Sequence, residues 1–194
     1  MFSSTSGWRR WILVLLGATT FLALSTSASA ERSLFFEETA EAFWAVPHAC
    51  ADGSTVEATL LVRSTRDFES PDTEDADPTA RVQYLAVCPD GTSFSWAAPT
   101  APAMITSTNN LKSVTADGTG IARDNLGGTH QVSFDVAWMG VGPLVTTVNG
   151  PGSKRQQREA TATGQVTFDG DVLVNGGSNH PTRPTPFIRV DTEK

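Results

Sequence analysis

Apolar and polar side chains alternate along most of this chain, and this alternation is the strongest limit on its fold. In residues 129–138 every second residue from Val132 is apolar, and Phe134, Val136 and Trp138 share one side. The same period of two recurs in residues 55–63 and 158–168. It is typical of β-strands that bury one face. Weaker segments of this kind are residues 42–49, 81–88, 93–97, 111–116, 144–148 and 171–174.

Turn-forming dipeptides separate these segments. Aspartate or asparagine followed by glycine readily takes positive φ angles in tight hairpins. The chain has five such pairs: Asp52-Gly53, Asp90-Gly91, Asp117-Gly118, Asn149-Gly150 and Asp169-Gly170. Together, alternation and turns predict an all-β, single-domain fold of eight to ten short antiparallel strands, a β-sandwich or a barrel. Only residues 33–43 fit a helix, and their aromatic side chains suit a strand equally well.

Residues 1–30 have the pattern of a cleaved signal peptide. Arg9 and Arg10 precede an apolar stretch at residues 11–24, and small residues follow as far as Ala28 and Ala30. This order predicts cleavage before residue 31 and export from the cell, by the general or the twin-arginine route. The apolar stretch is shorter than the roughly 20 residues of a membrane-spanning helix, so an uncleaved anchor is disfavoured.

The charge of the mature chain follows from this cleavage. The first thirty residues contain two arginines and no acid, so the remaining chain has 21 acids against 12 basic residues, a net charge of -9. Such a charge argues against a nucleic-acid partner, because binding to phosphates depends on positive charge. The predicted organisation is a β domain at residues 31–175 with an acidic, proline-containing loop at 67–79, followed by a proline-containing tail at 176–194. Phe187, Ile188 and Val190 offer an alternative in which part of the tail docks as a last strand.

Two cysteines occupy matching positions before two predicted hairpin turns. Cys50 precedes Ala51-Asp52-Gly53, and Cys88 precedes Pro89-Asp90-Gly91. This places both thiols at comparable heights on neighbouring hairpins, where they can be bridged. In an exported chain a disulfide is the expected state of two cysteines, so we predict a Cys50–Cys88 bond.

Catalytic and metal-binding patterns are weak in this sequence. His48, His130 and His180 are far apart and lack zinc-ligand spacing, and no phosphate-binding or nucleophile motif is present. We therefore expect no metal and no cofactor. A hydrolase site assembled only by the tertiary structure stays open as an alternative, and His130, Asp135 and Glu159 are its first candidates.

One basic cluster offers a possible contact for an anion or an acidic partner. Lys154, Arg155 and Arg158 follow the Asn149-Gly150-Pro151-Gly152 turn. The alternative is an ordinary solvated hairpin tip, since loop ends are usually polar.

Two segments in the C-terminal half carry a resemblance. They are Phe134-Asp135-Val136-Ala137-Trp138-Met139-Gly140-Val141-Gly142-Pro143 and Arg158-Glu159-Ala160-Thr161-Ala162-Thr163-Gly164. Over residues 111–170 the chain resembles secreted bacterial β-rich proteins of unassigned function. The resemblance implies secretion and an antiparallel β fold, and it brings no catalytic residue.

The sequence thus predicts a secreted, non-catalytic β domain that binds an extracellular or cell-envelope partner. A periplasmic or cell-surface location is compatible with the same export signal, and a structural coat protein is not separated from a binding domain. The secreted hydrolase is the alternative. No membrane insertion is expected after signal cleavage.

Overall fold

Nine antiparallel strands build the part of the molecule that the computed structural model describes, residues 34–70 and 78–193. One 3-10 turn, Asn109–Leu111, is the helical element among these residues. The strands are β1 (Leu34–Ala49), β2 (Thr55–Ser70), β3 (Thr79–Val87), β4 (Ser93–Ser107), β5 (Ser113–Asp124), β6 (Thr129–Gly150), β7 (Ser153–Phe168), β8 (Asp171–Gly177) and β9 (Phe187–Glu193).

The strands form one sheet that closes on itself. Neighbouring strands pair from β1 through to β7, and β9 joins β7 to β1. One edge of β7 pairs with β6, whereas its other edge is divided: residues 154–159 pair with β9 and residues 163–168 with β8. β8 and β9 thus share one place in the ring. The sequence predicted either a β-sandwich or a barrel, and the closed sheet is a barrel.

The interior is filled by every second residue, as the alternation predicted. Val132, Phe134, Val136 and Trp138 of β6 all point inward and are at most 3% exposed. Facing strands contribute inward side chains of the same kind. The largest wholly buried members are Trp44, Trp138, Leu60 and Ile188. Full burial of such side chains is the main source of stability in a barrel of this size.

The structure decides one open alternative of the sequence and contradicts one predicted turn. Residues 33–43, for which a helix and a strand were both open, lie in β1 from Leu34 onward. Asp117-Gly118, predicted as a turn, lies inside β5. A Cβ atom at Gly118 would overlap the carbonyl oxygen of Pro102 and lie 2.8 Å from the Phe134 ring. That glycine is therefore explained by the close approach of β4 and Phe134, and the turn prediction was wrong.

The predicted disulfide is present at one end of the barrel, which we call the disulfide end. Cys50 and Cys88 are bonded, with a Cα–Cα distance of 5.9 Å, and they link the ends of β1 and β3 across β2. A continuous series of aromatic rings lies at this end. Each ring centroid lies 4.4–6.2 Å from its neighbour in the series His48, Phe94, Tyr84, Trp96, Phe168 and His130.

The predicted tail takes part in the fold. Phe187–Glu193 forms β9, and Ile188 is wholly buried, so the docked alternative for this segment is the observed one. Residues 67–70 of the predicted acidic loop continue β2, and residues 71–77 lie outside the described residues, as does the predicted signal peptide. Within the described ranges there is no helix of the length and apolarity that crossing a bilayer requires.

Candidate functional site

A groove of about 530 Å³ runs across the outer surface of β2, β3 and β4, and we call it the outer groove. Its floor consists of outward side chains of the middle strands, chiefly Leu61, Gln83 and Leu85. Leu85 is 43% exposed, so the floor presents apolar surface to solvent. A concave surface that combines apolar area with a few polar groups is the usual form of a binding site.

One wall of the groove is built by residues 178–186, which we call the strap. The strap lies where β1 has no neighbouring strand, because β9 pairs only with residues 35–41 of β1. Its side chains replace the missing ladder: the Ser178 hydroxyl donates to the Phe43 carbonyl over 2.5 Å, and the Ala45 amide donates to Asn179 Oδ1 over 3.2 Å. These bonds satisfy backbone groups that an open strand edge would leave unpaired.

The strap also reaches over β1 to β2. The Thr59 hydroxyl and His180 Nε2 are 2.9 Å apart. The Arg183 guanidinium lies 5.9 Å from the centroid of the Phe43 ring, within the range of a cation–π contact. Arg183 is thereby placed at the edge of the outer groove.

The opposite wall is the turn between β5 and β6. Asn125 bonds to β4 much as a residue of a neighbouring strand would. Its backbone amide donates to the Ser95 carbonyl over 2.9 Å, and its side-chain Oδ1 accepts from the Ser95 backbone amide over 3.1 Å. Asn125 Nδ2 also donates to the Ser93 carbonyl over 2.9 Å. This pairing holds Arg123 and Asp124 against the groove.

Two arginines at the groove have no carboxylate partner among the described residues. Arg123 and Arg183 both line the groove, and neither makes an ion pair within the described part of the chain. Asp124 is also a lining residue, but its carboxylate is engaged elsewhere, accepting from the Leu126 and Gly128 amides over 2.9 and 2.6 Å. The available charge in the groove is therefore positive, in a chain whose net charge is negative.

His130 is held between two carboxylates at the disulfide end. Its Nδ1 lies 2.7 Å from Asp169 Oδ2 and its Nε2 lies 3.0 Å from Asp124 Oδ2. The hydrogen bonds to Asp169 and Asp124 raise the pKa of His130, and the same bonds lower the pKa of both aspartates. A neutral imidazole has only one N–H, so both contacts are hydrogen bonds only when the ring is an imidazolium. A general base needs a free ring nitrogen, and in this arrangement both nitrogens are occupied.

The His130 cluster predicts a particular pH dependence of stability. Its raised pKa stabilises the fold below histidine's ordinary value of 6.5, and this contribution is lost as the pH rises through the folded-state pKa. The lowered aspartate pKa values stabilise the fold above 3.8 and lose their effect as the pH falls below it. The difference in free energy of unfolding between the native protein and His130→Gln should therefore be largest between these two values.

Denaturant unfolding of both proteins from pH 3 to pH 9 measures this difference. The curve should have a maximum near pH 5 and decline on both sides. An NMR titration of the His130 ring should give a midpoint above 6.5, the ordinary histidine value. A stability difference that is flat across this range would show that the two contacts are not ionic.

The other two hydrolase candidates, Asp135 and Glu159, do not form a common site. Asp135 and Glu159 lie on the neighbouring strands β6 and β7, but Asp135 faces Gln165 and Glu159 faces Val141. Six residues of strand separate them, about 20 Å, whereas a glycosidase pair requires roughly 5 to 10 Å. His48 contacts the Tyr84 hydroxyl over 2.9 Å. Among the described residues no group of three His, Cys, Asp or Glu side chains is arranged to hold a metal ion.

Strand alternation divides the predicted basic cluster. The Arg155 Nε donates to Asp191 Oδ1 over 2.7 Å on the outer surface. Arg158 faces inward beside Ile188, and its Cδ packs against Gly140. Lys154 is exposed near the hairpin tip. The three side chains do not share one face of β7, and the anion contact suggested for them stays a prediction.

No known protein family, curated protein or solved structure matches this chain. The resemblance of residues 111–170 to secreted bacterial β-rich proteins accordingly stays a prediction.

The outer groove was not found from the sequence, and the reason is topological. Its residues come from β1, β2, β3, β4, β5, the turn after β5 and the strap, segments that no local spacing connects. One signal was available: Arg123 stands next to an Asp-Asn-Leu-Gly-Gly turn, and Arg183 lies between two prolines of the predicted tail. If the tail is assumed to pack against the barrel, these two arginines become candidates for a binding site.

Proposed function

We propose that this chain is an exported, non-catalytic domain that binds an acidic peptide segment of an extracellular or cell-envelope partner in the outer groove. The observation that carries the proposal is the pair Arg123 and Arg183, two cations that pair with no carboxylate of the described residues and line one groove with an apolar floor.

The geometry favours an elongated ligand. Arg123 belongs to β5 and Arg183 lies over Phe43 of β1, so the two approach the floor from opposite sides. Four strand spacings separate β1 from β5, about 19 Å. A peptide of six to eight extended residues covers this distance, with acidic side chains for the arginines and apolar ones for Leu61 and Leu85.

The negative net charge of the mature chain does not oppose this partner at the groove. At an ionic strength of 0.1 M the Debye length is about 10 Å, so exposed acids on other faces are largely screened. The nearest lining acid, Asp124, is already bonded to His130 and to two backbone amides. Arginine is also the residue best suited to carboxylates, because its planar fork can bind both oxygens.

Carbohydrate is the less suitable ligand for this groove. Sugar-binding surfaces use exposed aromatic faces, and Trp96 and Tyr84 at the groove are only 3% and 5% exposed. Phe43 is partly covered by Arg183. The hydrolase alternative has no assembled set of groups at its named residues, since His130 is bonded on both nitrogens and Asp135 is far from Glu159.

A defined peptide tests the proposal. We expect a fluorescein-labelled octapeptide of alternating glutamate and leucine to bind the mature protein, and its glutamine–leucine analogue to bind at least tenfold more weakly. The double variant Arg123→Gln/Arg183→Gln should reduce affinity for the acidic peptide by about tenfold, because each exposed ion pair is worth up to about 1 kcal/mol. Fluorescence anisotropy at 50 and 150 mM salt measures both effects.

Lys112→Gln is the control for the single variants Arg123→Gln and Arg183→Gln, since it removes the same charge from an exposed site outside the groove. It should bind the acidic peptide as the native protein does. An equal loss in Lys112→Gln and in the single arginine variants would mean that only net charge matters, and equal affinity for both peptides would refute the groove as an acidic-peptide site.

A further inference from the structure

A second cavity lies at the opposite end of the barrel from the disulfide, and we call it the end pocket. It has a volume of about 300 Å³ and opens between the beginning of β1, the C-terminal part of β9 and the region where β4 turns into β5. Its walls combine apolar side chains with one buried charged pair. The lining residues that matter here are Phe36, Glu38, Arg66, Ser107, Leu144 and Val190.

Glu38 is an unusual residue for the inside of a barrel. It points inward from β1 and is only 4% exposed. Its Oε2 accepts a hydrogen bond from Arg66 Nη2 over 2.6 Å, and the same nitrogen donates to the Ser107 hydroxyl over 2.6 Å. The Glu38 carboxylate is therefore held by Arg66 of the neighbouring strand β2, and Arg66 is held in turn by Ser107 of β4.

One carboxylate oxygen of Glu38 is left over. Its Oε1 is buried and has no hydrogen-bond partner among the residues that the structure describes. A buried charged oxygen without a partner lowers stability, and a bound molecule is one explanation for such a group. A hydrogen-bond donor on a bound molecule would supply the missing partner.

The walls of the end pocket indicate what kind of molecule this is. Arg66 neutralises Glu38, and every other lining side chain is uncharged, so a net charge on the ligand would have no counterpart. Phe36, Leu144 and Val190 offer apolar surface to the body of the ligand. The volume is at the lower limit of small-molecule sites, and the mouth of a β-barrel is a common place for them.

We propose that the end pocket binds a small, uncharged amphiphile that donates an O–H or N–H to Glu38 Oε1 and buries its apolar part against Phe36, Leu144 and Val190. This site is separate from the outer groove and does not depend on the peptide proposed to bind there. No side chain lines both cavities.

Two probes that differ only in the donor test this proposal. 1-Naphthol is uncharged at pH 7 and carries one O–H, and 1-methoxynaphthalene has the same rings without a donor. We expect isothermal titration calorimetry to show 1-naphthol binding the mature protein about tenfold more tightly than 1-methoxynaphthalene. Glu38→Gln replaces the carboxylate by an amide and should bring the affinity for 1-naphthol down to that of the ether.

A second pair of variants keeps the test valid if Glu38→Gln fails to fold. Leu144→Trp fills the pocket from its rim without touching the charged pair, and it should abolish binding of both probes. Val148→Trp adds the same side chain to the same hairpin at a position that is 73% exposed and should leave binding unchanged. Equal affinity of the two probes for the native protein, absence of binding, or 1-naphthol binding that survives Leu144→Trp would overturn the proposal.

The same titration shows whether the end pocket is independent of the outer groove. Arg123→Gln/Arg183→Gln should bind 1-naphthol like the native protein. If peptide binding fails and 1-naphthol behaves as expected, the end pocket stands alone. The reverse result would leave the outer groove as the binding site of the domain.

Discussion

Replacing both Cys50 and Cys88 by alanine is expected to lower the free energy of unfolding by about 4 kcal/mol. The bond closes a segment with a sequence separation of 38 residues. In the unfolded state this closure removes conformational freedom, and the chain-entropy model gives the magnitude from the length of the loop. This is a large fraction of the roughly 5–15 kcal/mol that stabilises a typical domain.

Urea unfolding of the mature native protein, with and without reductant, measures this effect. The reduced native protein should unfold at the same urea concentration as Cys50→Ala/Cys88→Ala, because both lack the cross-link. Thiol labelling under denaturing, non-reducing conditions should find no free cysteine in the native protein. A loss below about 1 kcal/mol would mean that the two hairpins stay together in the unfolded state without the bond.

The turns after the two cysteines explain why this bond was predictable. Asp52 Oδ1 accepts from the Ser54 amide and hydroxyl over 2.9 and 2.6 Å, and Asp90 Oδ1 accepts from Thr92 in the same way over 2.9 and 2.7 Å. Because both turns repeat one local structure, their cysteines emerge at the same height. Local sequence determined this part of the fold, whereas the oxidising compartment that the prediction assumed depends on the predicted export.

Alternation predicted the strands of the barrel but not their length or their closure. The longest strand, β6, has 22 residues and joins two segments that the sequence pattern separates at Gly140 and Pro143. Bulges allow this: the pairing of β6 with β7 shifts register between Val141 and Val145. A bulge leaves no clear trace in an alternation pattern, because it moves the pattern by a residue instead of ending it.

Glycine is the residue whose meaning the sequence left most ambiguous. Gly53, Gly91 and Gly170 have positive φ angles in turns, as their Asp-Gly pairs predicted. Gly164 lies inside β7, where a Cβ atom would come within 2.6 Å of the Asp135 carbonyl oxygen. Turn geometry and close packing both require glycine, and only the neighbouring strand distinguishes them.

The polar residues of both cavities were harder still to predict. A glutamate or an arginine in an alternating strand is normally assigned to the solvent side, and Glu38 and Arg66 are 28 residues apart in sequence. Their position depends on the register of β1 against β2, in which Glu38 faces Arg66 directly. A shift of one residue would have turned both charges outward.

The second large effect is expected at this buried pair. Arg66→Met leaves the Glu38 carboxylate inside the barrel without its cation, and we expect the free energy of unfolding to fall by about 3 kcal/mol. Breaking a buried pair on one side typically costs about 3–5 kcal/mol. The lower figure applies because the Arg66 side chain is 27% exposed, whereas that of Glu38 is 5% exposed. Denaturant unfolding at pH 7 measures the change.

An ion pair of similar length on the outer surface provides the control. Arg155 and Asp191 are 2.7 Å apart, but their side chains are 43% and 22% exposed. Arg155→Met should therefore lower the free energy of unfolding by less than about 1 kcal/mol. A similar loss at both sites would show that burial does not set the cost.

The double variant Glu38→Leu/Arg66→Met separates stability from function. Replacing both members of a buried pair by apolar residues is often neutral or stabilising, and here it also removes the unpartnered Glu38 Oε1. We expect the double variant to recover the stability lost in Arg66→Met while losing the preference of the end pocket for 1-naphthol over its ether. Recovery of stability together with this loss would show that the charged pair serves ligand binding. A double variant as unstable as Arg66→Met would instead assign the pair to the stability of the barrel.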